Sequence, residues 1–554
     1  MSSSSQLKSK LVLAISLAML LATAAPSVLA QPIDEPAGAT SPSADCTDGV
    51  QASGARYRIC MPSAPIAWNG ELVVYAHGYV AYNEPVAIPE NQLVLGGISV
   101  PDIVTMLGYA FATTSYYTNG LAVQAGIADL VDLVDVFQAA HGASARTYLT
   151  GVSEGGLITA LAVEQYPDIF DGGLATCGPV GSFREQINYF GDFRVVFDYF
   201  FPGLMPGEAV TIPQALIDGW SAYYTSTVEP AIIDPANAYS LTQVFSVTHA
   251  AYDPANPATM ITSAERLLWY NVFSTNDGKL KLGGQPFDNT ERVYSGSADD
   301  TALNDPASGV KRFKADQATL EAMQAGYQTS GRLNSPMVTL HTTLDEIVPY
   351  FHEDLYRELV VANNRQLWHT NIPVERYGHC NFTQSDVTSA FTTLVNQVRT
   401  LTSDLATSRK SVIDSSGDGV AQASEVLTYT ITITNSGTVG AGIILTDELP
   451  AGLDYAGYLA HNFPGTGFTA VFSGNVLMAH TEGYLYPPAG GSLSLFNTFS
   501  LTFTARVSET LPGGTHIVNT IQLRDQDAPY TIPPASIGVE RQYGIFLPVI
   551  LRNA

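Results

Sequence analysis

Charge is scarce in this chain, and what there is has mostly one sign. Charged residues make up 14% of 554 residues, and 51 Asp and Glu outnumber 25 Lys and Arg, for a net charge of −26. That balance excludes nucleic acid and anionic membranes as partners. Cysteine is rare as well, with four in all. There is no Cys-x-x-Cys and no paired His spacing, which excludes a zinc site. Beyond residues 1–30 no apolar run is long enough to span a bilayer. What is plentiful is apolar and aromatic: 46% hydrophobic residues, with 28 Tyr and 23 Phe. That composition excludes disorder.

Residues 1–30 read as a signal peptide. Lys8 and Lys10 give the positive start, Leu11 to Ala25 the apolar stretch, and Val28-Leu29-Ala30 the small-residue cleavage site. No Cys follows the cut, so no lipoprotein anchor is expected. The mature chain is expected to be secreted or held at the cell surface. An even cysteine count there suggests two disulfides. Three pairings are possible. The short Gly-containing segment between Cys46 and Cys60 favours a local bridge, which leaves Cys177 with Cys380.

The length is too great for one core and predicts about three globular units. Residues 31–45 are rich in Pro, Ala and Ser and read as a flexible N-terminus. From Arg56, short apolar runs alternate with helical patterns. Strands are expected at 56–60, 72–76, 109–114, 147–150 and 173–177. A helix with Ile127, Leu130, Val134 and Phe137 on one face precedes the fourth of these. This rhythm implies a parallel sheet covered on both sides, with ligands at the carboxyl ends of its strands. It breaks at 181–332, where aromatics crowd and helices are expected at 264–272 and 315–328. Such an insertion reads as a cap over the strand ends, most of its aromatics forming a core and a minority lining an acyl or aryl pocket. The rhythm resumes at Met337 and closes with a helix at 384–403.

Residues 147–156 carry the chemistry. Thr-Tyr-Leu-Thr is a strand that runs into Gly151-Val152-Ser153-Glu154-Gly155, followed by Gly156. A nucleophile on a sharp strand-to-helix turn needs glycines where neighbouring chain segments come too close for side chains. A serine hydroxyl then needs a base and the base an orienting acid, in the chain order Ser, Asp or Glu, His. Two later strand ends supply them. Asp345 follows the strand at 337–341, with Glu346 as the rival acid, and His379 follows Gly378 after the strand around 372–377. The oxyanion hole is expected from the backbone N–H of Glu154 and of Tyr79, the latter in the His77-Gly78-Tyr79 loop. The Glu154 carboxylate is expected to sit on the surface at the helix start.

On the residues His77-Gly78, Gly151 to Gly155, Asp345 through Val348-Pro349, and Gly378-His379, the segment 56–400 resembles an α/β-hydrolase-fold serine hydrolase, akin to secreted bacterial esterases. Tannase and feruloyl esterase relatives place Cys directly before the Ser and after the His. Here Cys380 follows His379, but Val152 precedes Ser153. A bridge from Cys177 to Cys380 is expected to pin the histidine loop instead. The resemblance implies an α/β-hydrolase domain over 46–403 with its cap at 181–332. It also implies ester hydrolysis through an acyl-enzyme on Ser153, with a small-molecule or polymer ester as substrate and no cofactor for catalysis. Two alternatives stand beside it. One is a serine peptidase of the same fold, with Glu185 or Asp192 holding a peptide amine. The other is a surface adhesion protein with an inactive hydrolase domain.

Beyond about residue 408, Thr, Gly, Val and Leu dominate and strands are expected at 426–434, 442–447 and 501–507. An all-β sandwich over 408–540 follows. The stretches 429–437 and 446–453 are similar to an Ig-like repeat module of bacterial surface proteins, which implies a spacer or cell-surface attachment role. Asp414, Ser416, Asp418 and Glu425 stand at positions 1, 3, 5 and 12 of a loop with Gly419 at 6, the spacing of a structural calcium loop. An Asp/Gly turn into the sandwich is the other reading of it. Residues 541–554 form an apolar tail, too short to span a membrane.

Overall fold

The computed structural model describes residues 44–400, 405, 407–435, 441–463, 468–485, 498–525 and 528–540. The signal peptide, most of the expected flexible N-terminus and the apolar tail lie outside these. The chain divides into two compact units, 1–398 and 399–554. The cap is not a unit of its own, because its aromatic core is continuous with the rest of the first unit through Ala81, Ile347 and Val348.

Eight strands form the sheet of the first unit: β1 (Asp45–Val50), β2 (Arg56–Met61), β3 (Glu71–Ala76), β4 (Ala110–Thr114), β5 (Arg146–Val152), β6 (Gly172–Thr176), β7 (Met337–Leu344) and β8 (His369–Tyr377). Their spatial order is β1-β2-β4-β3-β5-β6-β7-β8. β2 runs antiparallel to β1 and to β4, and all later pairs are parallel. This is the α/β-hydrolase fold. β1 begins inside the stretch read as flexible, where the Cys46–Cys60 disulfide ties it to β2.

Alternation along the strands splits the core into two faces. Leu72, Val74 and Ala76 of β3 pack with the helices Val123–His141 and Glu154–Gln165. Val73 turns the other way, toward Tyr109, Tyr148 and the helix Gln384–Thr400. Both faces are buried at the centre of the sheet, so its inner strands read as continuous apolar runs.

The segment between β6 and β7 is the cap. Its helix Phe183–Phe200 packs Phe193 and Phe197 against Phe245 and Leu267 of neighbouring helices. The helix expected at 264–272 is the centre of a longer one, Thr259–Leu282. No helix of the described residues is long and apolar enough to cross a membrane.

The second unit is all β. A four-stranded sheet orders Arg409–Asp414, Val426–Thr434, Thr498–Val507 and Leu453–His461. A five-stranded sheet is centred on Ala441–Glu448, and a three-stranded one ends on His516–Asn519. Inward residues Tyr429, Ile431, Leu501 and Phe503 alternate with outward Thr and Ser, as a half-buried strand requires.

Candidate active site

Ser153 sits between β5 and the helix Glu154–Gln165 with φ 57° and ψ −120°. That is strained backbone for a residue with a side chain. Crowding around the turn explains the glycines. A Cβ on Gly151 would lie 2.0 Å from the Gly155 carbonyl oxygen, and one on Gly155 would lie 2.1 Å from that of Ala76. The turn is thus wedged between its own helix and the end of β3, and the hydroxyl is pushed out over the carboxyl edge of the sheet.

The structure brings Ser153, His379 and Asp345 together. The Ser153 hydroxyl lies 2.8 Å from His379 Nε2, and His379 Nδ1 lies 2.8 and 3.0 Å from the two oxygens of Asp345. Asp345 is fully buried, and its Oδ1 accepts the N–H groups of Ile347 and Val348 at 2.9 and 2.8 Å. Burial would raise its pKa. The charge of His379 and hydrogen bonds from His341 and His379 outweigh that and hold it well below the usual carboxylate range. Glu346, the rival acid, has another place. Its Oε2 accepts the backbone N–H of His379 at 2.9 Å, and its Oε1 pairs with Arg266 of the cap. It holds the histidine loop and does not touch the ring.

The oxyanion-hole loop is clamped from two sides. Gln92 accepts the Gly78 N–H at 2.7 Å and donates to the Tyr79 carbonyl at 3.3 Å. His77 stacks on Tyr116 at 4.0 Å and its Nδ1 is 2.7 Å from the Gly78 carbonyl. Burial lowers its pKa to about 4, so it is neutral and donates there. Glu154 opens its helix, so its N–H has no acceptor within that helix. The Tyr79 N–H likewise meets no acceptor among the described residues. The Glu154 side chain differs from its expected surface position. It turns inward and accepts the Ala122 N–H at 2.9 Å. Burial pushes its pKa up to about 8, against the pull of that bond and of Lys281.

Three residues of this site were not anticipated. His341 is buried behind Asp345. Its Nε2 is 2.8 Å from the Val348 carbonyl and 3.4 Å from Asp345 Oδ2, and its Nδ1 is 2.9 Å from Glu353 Oε1. A carbonyl only accepts, so Nε2 carries a proton. The other oxygen of Glu353 accepts from Asn371 at 2.7 Å, as an ionised carboxylate does. Burial alone would lower the His341 pKa, but bonds to Asp345 and Glu353 raise it to about 10. An imidazolium therefore backs the Asp345 carboxylate. Gln92 and Tyr270 are the other two. A sequence signal existed only for His341, which stands at i−4 from Asp345 on the same strand end.

A cavity of about 380 Å³ opens at Ser153 and His379. It runs down the sheet face past Val73, Leu174 and Tyr109 to Phe391, and the segment 94–107 closes its side with Leu95, Val100 and Val104. No Asp, Glu, Lys or Arg lines it. A minority of the cap aromatics was expected to line the pocket, and the one cap residue among its lining is Tyr270. Tyr270 is stacked on Phe190 at 5.2 Å. Most of the other cap aromatics are core, while Tyr239 is exposed. Glu185 and Asp192 do not line the cavity either. Arg292 lies 3.6 Å from Glu185 and 2.6 Å from Asp192, so both carboxylates already share a cation.

Cys177 and Cys380 are bonded, and the Cys380 sulfur lies 3.3 Å from His379 Nε2. In the second unit, the loop carboxylates serve the turn itself. Asp414 accepts from the Ser416 hydroxyl and the N–H groups of Asp418 and Gly419. Asp418 accepts from the Val420 N–H, and Glu425 from Ser415, Ser416 and Gln422. These carboxylates do not converge on one point among the described residues.

No protein-family model matches the chain, and no curated protein matches it in sequence. Solved structures similar to it include a Pyrococcus horikoshii acylaminoacyl peptidase, at 11% identity and TM-score 0.31, covering 61% of this chain and 37% of that one. A Mycobacterium tuberculosis puromycin-hydrolyzing peptidase aligns at 12% identity and TM-score 0.36, covering 66% and 40%. Porphyromonas gingivalis dipeptidyl peptidase 4 aligns at 11% and 0.31, covering 64% and 35%. The chain spans less than half the length of each. Their names are those of peptidases, the class of the first alternative above, and not of ester hydrolases.

Three outcomes are expected. Cutting the Cys177–Cys380 bond frees the loop that carries His379, so the Cys177→Ser/Cys380→Ser variant should lose at least about tenfold in kcat/KM, measured with the fold checked by circular dichroism. Replacing His341 removes the positive charge behind Asp345 and leaves more of its field to stabilise protonated His379. The acid limb of kcat/KM in His341→Gln should therefore move to higher pH. The stability sign is also fixed: a pKa raised from 6.5 to about 10 on folding gives stability that is complete below about pH 6.5 and lost as pH rises through about 10. Thermal melts across that window should slope downward more steeply for the wild type than for His341→Gln.

Proposed function

We propose that this protein is a serine hydrolase that transfers an apolar acyl group to water through an acyl-enzyme. Ser153 is the nucleophile, His379 the general base and then acid, and Asp345 the residue that orients the imidazole. The N–H groups of Glu154 and Tyr79 receive the oxyanion. The observation that carries this reading is the unbroken hydrogen-bonded sequence from the Ser153 hydroxyl to the Asp345 carboxylate.

In the first step the Ser153 oxygen attacks the carbonyl carbon as His379 Nε2 takes its proton. The imidazolium that forms is stabilised by Asp345 across Nδ1. The carbonyl oxygen becomes an oxyanion and collapses back as the leaving group departs with the proton from His379. Water then repeats the sequence on the acyl-enzyme and regenerates the hydroxyl.

A carboxylic ester is our first reading of the bond cleaved. An uncharged acyl cavity favours a neutral, apolar acyl group. A peptide amide is the second, since the same groups act on either carbonyl. The carboxylates that would hold a free peptide amine are already paired with Arg292, which favours an ester or a blocked amide. Export is part of the proposal, supported by two disulfides. A spacer or surface-attachment role for the second unit goes with it.

A fluorophosphonate probe should label the wild type and not Ser153→Ala, and hydrolysis should fall by at least about 10⁴-fold in that variant. An intact, folded protein that resists labelling would favour the adhesion reading. A panel of acyl esters of graded chain length, run beside blocked and unblocked aminoacyl amides, decides the bond. Faster turnover of amides would make the peptidase reading the correct one.

A further inference from the structure

The core of the β unit holds three polar residues where its alternation calls for apolar ones. Lys410 is an inward residue of Arg409–Asp414, while Ile413 of the same strand is 64% exposed. Asp447 is an inward residue of Ala441–Glu448, and Asn519 of His516–Asn519. All three are buried, and they come from three different sheets.

They meet at one carboxylate. Lys410 Nζ lies 2.5 Å from Asp447 Oδ2, and both side chains are fully buried. The Asn519 side chain faces the same carboxylate. Neither amide atom of Asn519, nor Asp447 Oδ1, meets a partner at full hydrogen-bond geometry. Aromatic rings wall the site: Nζ is 5.1 Å from the centre of the Tyr429 ring and 5.8 Å from that of Phe503. A plain ion pair is a poor account of this. Burying two charges costs several kcal/mol, and an apolar pair would serve a core better. An orphaned amide beside them adds to that cost. The trio has instead the parts of an amide-forming reaction: an amine, an acid to shuttle protons, and a carboxamide, all kept from water.

We propose that Lys410 and Asn519 are joined by an intramolecular isopeptide bond whose formation Asp447 promotes. Burial favours the neutral pair over the ionic one, so the Lys410 ammonium gives a proton to Asp447 and becomes a nucleophilic amine. The same burial lowers the Lys410 pKa to about 8 and raises that of Asp447. The amine lone pair attacks Asn519 Cγ and a C–N bond forms. Asp447 donates its proton to the departing Nδ2 and takes one from Nζ. The Cγ–Nδ2 bond breaks and ammonia leaves. The balance is one amine plus one carboxamide giving one secondary amide plus ammonia, with no oxidant and no cofactor. The bond ties the first strand of the unit to one near its end, across a core that holds no disulfide among the described residues.

Mass spectrometry of the full chain tests this. After reduction of the disulfides, the wild type should weigh about 17 Da less than its sequence, the mass of one ammonia. Digestion should yield a branched peptide joining the segment of Lys410 to that of Asn519. Lys410→Met, Asp447→Ala and Asn519→Ala should each restore the sequence mass at residue 519 and melt at lower temperature than the wild type. A folded wild-type chain with separate, unlinked Lys410 and Asn519 peptides would overturn the proposal, whether or not the variants fold. So would an ammonia loss mapped elsewhere, or a loss of about 18 Da with the link on Asp447, which would make Asp447 the acceptor. Failure of the serine chemistry would leave this result untouched, because the trio lies in the other unit.

Discussion

The active end of the sheet depends on keeping one carboxylate charged inside protein. Asp345 is 1% exposed, and an isolated buried carboxylate would take up a proton rather than remain an anion. Four groups prevent that. The N–H groups of Ile347 and Val348 grip one oxygen, the His379 ring reaches both, and protonated His341 stands behind. The acid loop therefore cannot fold without its charge, and the charge cannot persist without the loop. The two N–H donors belong to the turn that follows Asp345 itself, so the chain closes its own anion site before the histidine arrives. His379 is then drawn to a place already prepared for it.

The histidine loop is held at two points beyond its ring, one of them braced by the cap. Glu346 accepts the His379 N–H, Arg266 brings the cap to Glu346, and the Cys177–Cys380 bond ties the next residue to the end of β6. Each tether comes from a different element. A ring that must move a proton between two heavy atoms gains from such redundancy, because small displacements cost large factors in rate. The cap thus contributes through Arg266 and Tyr270, while its many Phe and Tyr residues build a core. Most of the cap aromatics belong to that core, and Tyr270 is the one cap residue lining the cavity. Aromatics dominate large cores as readily as pockets, and spacing alone does not separate them. The cavity drew its walls from Val73, Leu95, Val100 and Leu174, aliphatic residues that look like any other strand or helix interior.

How far each part was legible in the chain follows from whether its constraint is local. The elbow was readable because crowding at Gly151 and Gly155 leaves no alternative residue, and its spelling is contiguous. Asp345 and His379 were readable because strand ends place residues at the sheet edge in chain order. The inner strands of the sheet were readable because double-sided burial makes continuous apolar runs, and β2 because its residues alternate. β1 was not, since its residues are mostly exposed and a disulfide, not an apolar face, holds it. The inward turn of Glu154 and the clamp by Gln92 were invisible, as each rests on a partner distant in sequence. Asp414 and Glu425 match a ligand spacing, yet spacing does not say where a carboxylate finds its donors. Here the nearest N–H groups of the turn supply them.

The two units share one physical device, a carboxylate buried against a cation, and differ in what surrounds it. At Asp345 every oxygen has donors, so the site is rigid and its charge is an asset to an imidazole that must become positive. At Asp447 one oxygen meets no partner at full hydrogen-bond geometry, the cation is a primary amine, and the third member is an amide that faces the carboxylate without such geometry. A low-dielectric core rewards satisfied groups and penalises unsatisfied ones. In the first case the network is complete and the energy is held as order. In the second it is incomplete as it stands, and the step that would complete it is chemical: converting amine and carboxamide into one neutral amide removes a buried positive charge and leaves fewer donors to satisfy. The same desolvation that stabilises a finished network drives an unfinished one toward reaction, and the difference lies in whether the neighbours of the carboxylate are N–H groups of the backbone or reactive side chains.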